Sequence, residues 1–160
     1  MNTPAPIRWL ILACGNPLRG DDGAGPWLAV WAFDRFGGEP GVRVIVRQQW
    51  GPELAEEIAR SQNVLFVDSS IKTSPGRVDL VAVEPAANAG RPTTHHLDAA
   101  KLLALSRDLY GSLPGHAALL TVGIQSVALG EELSELVRGA IPEACRRIEE
   151  VLQSQNVIDD

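Results

Sequence analysis

Three segments of the chain carry side chains able to hold a divalent cation or move a proton. They are Asp21-Asp22 in a glycine-rich stretch, Asp68 at the end of an apolar run, and the pair His95-His96. Two carboxylates and an imidazole form a donor set suited to nickel or zinc, and three ligands leave room for water or a substrate group. In the stretch Gly15-Asn16-Pro17-Leu18-Arg19-Gly20-Asp21-Asp22-Gly23-Ala24-Gly25, Gly15 and Gly20 have the spacing of a phosphate-binding loop. That loop requires Lys and then Ser or Thr where Asp21 and Asp22 stand, and carboxylates there repel phosphate. They can instead hold a cation or cap a helix N-terminus. A GxGxxG fingerprint is absent from this turn, which disfavours a dinucleotide. No Ser/His/Asp or Cys/His motif is identifiable, so a covalent nucleophile is not indicated.

Each of these residues also has a plain structural reading. Asp22 is suited to a helix N-cap. Asp21 reads as solvent-facing or as a turn acceptor, Asp68 as a strand-end acceptor for a loop amide, and His95-His96 as a surface pair opening a helix. Cys14 and Cys145 form no CxxC, so neither a thiolate zinc site nor a redox motif is expected, and a reducing cytoplasm is the simplest setting. Cys14 reads as a small buried hydrophobe and Cys145 as a core residue of the last helix.

The elements that must position these groups follow from hydrophobic periodicity. Strands are predicted at 9–14, 42–47, 64–67, 78–83 and 117–124, and helices at 26–36, 52–61, 96–110 and 132–153. The last helix is expected to break near Gly139 and restart at Pro142, and residues 156–160 to fray. The link between the third and fourth strands is too short for a crossover helix, so the fourth strand should run antiparallel to the third. The fold class is therefore α/β: a three-layer α/β/α sandwich with a mostly parallel five-stranded sheet and one antiparallel strand, forming a single domain over residues 1–160.

Sites in open α/β sheets form beyond the C-terminal ends of the parallel strands. Asp21, Asp22, Asp68, His95 and His96 then share one rim. His116, just before the fifth strand, falls on the opposite rim and is excluded. Trp50 follows the second strand near the same rim, either as a substrate contact or as loop packing.

Composition removes other classes. A net charge of −6 argues against a broad nucleic-acid-binding face. The segment 10–15 looks superficially like a lipoprotein cleavage site, but Arg8 interrupts the apolar run and a buried strand explains it better. No stretch approaches the roughly 20 apolar residues of a membrane helix. A cytoplasmic monomer is the expectation.

The Gly15–Gly25 motif resembles the GNxLxxDDGxG signature of the hydrogenase maturation proteases. The resemblance extends to Leu65-Phe66-Val67-Asp68, to Thr94-His95-His96-Leu97 before a Leu-rich helix, and to Leu119-Leu120-Thr121-Val122-Gly123-Ile124 as the last strand, so it spans most of the chain. It implies an endopeptidase that removes the C-terminal peptide of a [NiFe]-hydrogenase large-subunit precursor after nickel insertion. Nickel, carried by the substrate rather than permanently bound, is the recognition element. By match, Asp22, Asp68 and His95 contact that metal. The first acid is Glu in some members, and Asp22 is one methylene shorter. His96 stands beside His95, and the spacing to Leu97 favours His95. The partner implied is the precursor, bound transiently. Two alternatives stay open: a non-catalytic nickel-site assembly protein, and a metal-assisted hydrolase of small molecules.

Overall fold

The structure, a computed structural model, describes residues 5–88, 97–130 and 132–158. Its elements in chain order are β1 (Ile7–Cys14), a 3-10 turn (Gly20–Gly23), α1 (Ala24–Phe36), β2 (Val42–Arg47), α2 (Leu54–Ala59), β3 (Ser61–Ser70), β4 (Val78–Ala82), α3 (Ala99–Tyr110), β5 (His116–Gly123) and α4 (Glu135–Ile158). The strands form one sheet in the order β2-β1-β3-β5-β4. All neighbours are parallel except β4, which pairs antiparallel with β5. The α/β fold with one antiparallel strand is as predicted, and β4 runs opposite to β3. It does not neighbour β3, however: β5 is inserted between them.

Gly123 lets the β3–β4 link pass over the end of β5. A Cβ there would land on the Ser74 carbonyl oxygen. The close approach is fixed by hydrogen bonds from the Gly76 amide to the Gly123 carbonyl (2.9 Å) and from the Gly123 amide to the Arg77 carbonyl (2.8 Å).

Alternation along the strands builds a core on each face. Trp9, Ile11, Ala13, Leu65 and Val67 pack under α1 and α4, while Leu10, Leu12, Cys14, Val64 and Phe66 pack under α2 and α3. Each fully buried Leu, Ile or Phe contributes about 1.5–3 kcal/mol. The helices are held by matching faces. In α3, Leu102, Leu103 and Leu105 are buried, the Asp98 side chain caps the N-terminus by accepting from the Lys101 amide (2.8 Å), and Gly111 ends the helix at φ +67°.

Several boundaries differ from the predicted ones. β3 is ten residues long because its polar ends are satisfied. Ser61 Oγ donates to the Glu57 carbonyl (2.7 Å), Asn63 Nδ2 donates to the Arg8 carbonyl (2.8 Å), and Asp68, Ser69 and Ser70 pair with Thr121, Val122 and Gly123 of β5. Asp68 thus lies within the strand rather than after it. α1 starts two residues early, behind the 3-10 turn, so Pro26 is its third residue.

The largest correction is α4, one helix with Pro142 inside it rather than two pieces, and it continues to Ile158. Its buried stripe of Val137, Ala140, Ile141, Ala144, Ile148 and Leu152 runs unbroken past the proline. Arg138, Gly139 and Pro142 all face outward, so the hydrogen bond lost between residues 138 and 142 falls on the exposed side.

Pro142→Ala should therefore stabilise the protein by about 1–3 kcal/mol by restoring that bond. A urea midpoint left unchanged or lowered would show that the helix is not continuous in solution.

Candidate functional site

The chain goes from β1 outward to β2, then returns past β1 to β3, so strand order reverses between β1 and β3. Such a switch point opens a crevice beyond the C-terminal strand ends. The loop after β1 fills one wall. Gly15 starts it at φ +149°, and a Cβ there would land on the Asp22 carbonyl oxygen, so only glycine permits the loop to fold back on itself. The Asn16 side chain accepts from the Leu18 amide (2.9 Å), forming a tight turn.

The two adjacent acids of this loop do different things. Of the two readings of Asp21, solvent-facing or turn acceptor, the structure supports the acceptor, and the residue is fully buried. Its carboxylate accepts from the amides of Gln125 and Ser126 (both 2.9 Å), from the Ser134 hydroxyl (2.8 Å) and from the Ser134 amide. Desolvation pushes its pKa up, but these donors outweigh that, and the carboxyl is held below its ordinary value. The same two loops are stitched by backbone bonds from Gly20 to Gly130 (2.8 Å), Asp21 to Ser126 (2.9 Å) and Gly130 to Leu18 (2.9 Å). Asp21 is thus the anchor that ties the first loop to the segment after β5.

Asp22 turns the other way. Its carboxylate accepts from the Asn16 amide (2.8 Å) and from the Ser69 hydroxyl (2.8 Å). It caps no helix: neither the 3-10 turn nor α1 has a side-chain cap bond. Asp68, on β3, accepts from the Ser69 amide (2.8 Å). Ser69 therefore donates to both acids, through its hydroxyl to Asp22 and its backbone to Asp68. Burial raises the Asp68 carboxyl to about 7; the Ser69 amide opposes this and the Asp22 charge adds to it.

Sequence reasoning missed Ser69 and the Asp21 partners Ser126 and Ser134. A lone serine after a strand carries no spacing signal, and the loops meet only in the folded chain.

Cys14 lies beside these acids. Burial first, then the charge of Asp68, pushes its thiol up to about 12, against the lowering effect of the Trp50 backbone. Its Sγ donates to the Gln48 carbonyl (3.2 Å). A thiol so held supplies no thiolate nucleophile. Trp50 is corrected from a candidate substrate contact to core packing. It is 5% exposed, its indole N–H reaches the Ala13 carbonyl (3.3 Å), and its ring meets Phe66 edge-on at 5.2 Å. His95 and His96 lie outside the described residues. Among the described residues no group of three or more His, Cys, Asp or Glu side chains converges. An open groove of about 400 Å3, lined by Asn16, Arg19, Asp22, Gln48 and Gln49, runs beside Asp22. A larger cavity of about 570 Å3 lies around His116 and Gly115 at the far end of the sheet, away from the acids.

An open α/β/α sheet with paired carboxylates at its switch point is the class that fold and rim define. No protein-family model and no curated protein matches the chain. Solved structures do. The hydrogenase maturating endopeptidase HybD from Escherichia coli is 21% identical, with 92% of this chain and 93% of that one covered and a TM-score of 0.72. Hydrogenase 2 maturation peptidase from a Thaumarchaeota archaeon is 27% identical (91% and 98% covered, TM-score 0.66). The [NiFe] hydrogenase maturation protease HycI from Thermococcus kodakarensis is 26% identical (94% and 95% covered, TM-score 0.67). Over most of its length the chain therefore shares the fold of solved hydrogenase maturation peptidases.

Two predictions follow from the acids. Asp21→Ala leaves three backbone amides without their acceptor and should cost about 1–3 kcal/mol in urea unfolding. A loss below about 1 kcal/mol would remove Asp21 as an anchor.

For Asp68 the folded carboxyl titrates near 7 instead of its ordinary 3.8. The folded state binds the extra proton, so this contribution is fully present below about pH 4 and is lost as pH rises towards 7. The difference is worth roughly 4 kcal/mol. Asp68→Asn stays neutral, so its melting temperature should gain on the wild type between about pH 4 and 7.5. Parallel curves would contradict a raised Asp68.

Proposed function

We propose that this protein is an endopeptidase that removes the C-terminal peptide of a [NiFe]-hydrogenase large-subunit precursor after nickel insertion, with the precursor's nickel as the recognition element. The observation that carries this reading is the Asp22–Ser69–Asp68 arrangement at the switch point. Two carboxylates are bridged by one serine beside an open groove, on a fold shared with solved maturation peptidases.

The donor set fits a borderline divalent ion presented by a partner: Asp22 and Asp68 supply oxygen and His95 a nitrogen. A raised Asp68 carboxyl is poised to ionise when a cation arrives, since a positive charge offsets the desolvation that holds its proton. On this reading Asp22, Asp68 and His95 hold the nickel-loaded region of the precursor so that the scissile peptide bond is fixed beside them, a proximity effect. The substrate's nickel contributes Lewis-acid character, either at the carbonyl or at a water. Cys14, kept as a thiol, takes no part in bond making. The open groove suits a polypeptide better than a small molecule enclosed on all sides.

The test mixes the purified protein with a nickel-loaded precursor and, in parallel, a nickel-free one, and measures precursor mass. Loss of a C-terminal peptide from the nickel-loaded form alone is expected. Asp22→Ala, Asp68→Ala and His95→Ala should each lower processing by about 100-fold or more without loss of fold. Normal processing by all three would remove the site assignment. Processing blocked by His96→Ala and spared by His95→Ala would exchange that pair. Binding without cutting would favour an assembly role.

A further inference from the structure

Edge strand β2 ends at the groove beside Asp22, and its outer side is unpaired among the described residues. Its register with β1 decides which backbone groups point outward. Ile11 is opposite Val44 and Ala13 opposite Val46. The carbonyls of Gly41 and Arg47 bond to Trp9 and Gly15 of the β1 side. In a parallel ladder the N–H and C=O of one residue point to the same side and successive residues alternate. Arg43, Ile45 and Arg47 therefore face β1, and Val44 and Val46 turn both their N–H and C=O off the sheet. Only another backbone matches such a row, because the groups repeat at the spacing of a strand.

The surface along this edge is a groove of about 450 Å3, lined by residues 42–47 with Phe33 and Gly37 of the α1 side. At its downstream end the chain continues as Gln48 and Gln49, which line the groove beside Asp22. One shoulder is apolar: Phe33 is 62% exposed and Val46 40%. The other carries exposed Arg43 and Arg47, with Arg43 paired to Glu57 at 3.3 Å. The edge is guarded in the free protein, since Arg47 Nη1 donates to the outward Val46 carbonyl at 2.9 Å. A charged side chain that covers an edge group blocks indiscriminate pairing and leaves the strand available to a partner able to displace it.

We infer that β2 is a docking rail on which an extended segment of the substrate polypeptide adds as a sixth strand, leading its cleavage point to Asp22 and Asp68. The inference rests on the peptidase reading above. The segment's side chains alternate between the two shoulders. Apolar residues fit the Phe33–Val46 side, and acidic residues fit between them, against Arg43 and Arg47. Six residues of strand span about 20 Å, enough for selectivity remote from the reacting bond.

The experiment follows amide hydrogen exchange along β2 in the full-length protein, alone and with the nickel-loaded large-subunit precursor. Binding should slow the Val44 and Val46 amides by about tenfold or more. Val44→Pro removes one outward N–H and spares the β1 ladder, as prolines on edge strands do. It should weaken precursor binding about tenfold or more, while Val44→Ala, which keeps the N–H, stays within about threefold. If Val44→Pro fails to fold, exchange in the wild-type chain decides. A precursor that is bound and cut while both amides exchange at their free rate would overturn the rail and leave the peptidase reading standing. A precursor neither bound nor cut would overturn both. Protection that grows with protein concentration in the absence of precursor, together with a dimer mass, would assign the edge to a second copy of this chain and also overturn the rail.

Discussion

The buried carboxylate of Asp21 is the interaction on which the site's geometry turns. A charge with no exposed surface survives in a folded protein only when its lone pairs are filled. Here three backbone amides and one hydroxyl fill them, all from the chain after β5. This ties the first loop of the molecule to a segment more than a hundred residues later in sequence. With that loop pinned, the next residue cannot face the same way. Asp22 is turned towards β3, where Ser69 meets it. The sharing of roles between two adjacent acids is thus a consequence of one of them being used up as structure.

Sheet topology supplies the second constraint. Because β1 and β3 are parallel neighbours at the strand reversal, the loop after one and the last residues of the other meet at the same rim. Ser69 then bridges Asp22 and Asp68 across that boundary. Burial and the neighbouring charge leave Asp68 with a pKa unlike that of an ordinary carboxylate. A group in this state is unfavourable in isolation and is relieved by a cation. Shifted carboxylates of this kind cluster at functional sites, which is what makes Asp68 a candidate.

Much of the fold was legible in the residues. Apolar runs and their lengths located all five strands, and the short β3–β4 link implied the reversed direction of β4. The glycine-rich turn and its two acids marked the rim, and its motif carried the family resemblance. What escaped was set by partners distant in sequence. Ser61 and Asn63 look too polar to open a buried strand until Glu57 and Arg8 are seen to accept from them. Pro142 looks like a break until the buried stripe is seen to pass it on the far side. Trp50 looks like a rim aromatic until Phe66 and Ala13 enclose it.

By itself, then, the sequence determined the type and direction of the elements and the residues that could do chemistry, because periodicity, turn residues and motif spacing are properties of neighbouring positions. The tertiary structure alone decided that β5 inserts beside β3, that Asp21 is an anchor while Asp22 meets β3, that Ser69 joins the two acids, and that β2 is left as an edge. Each of these depends on which strand lies beside which and on how far water is excluded there, and no local pattern encodes either quantity.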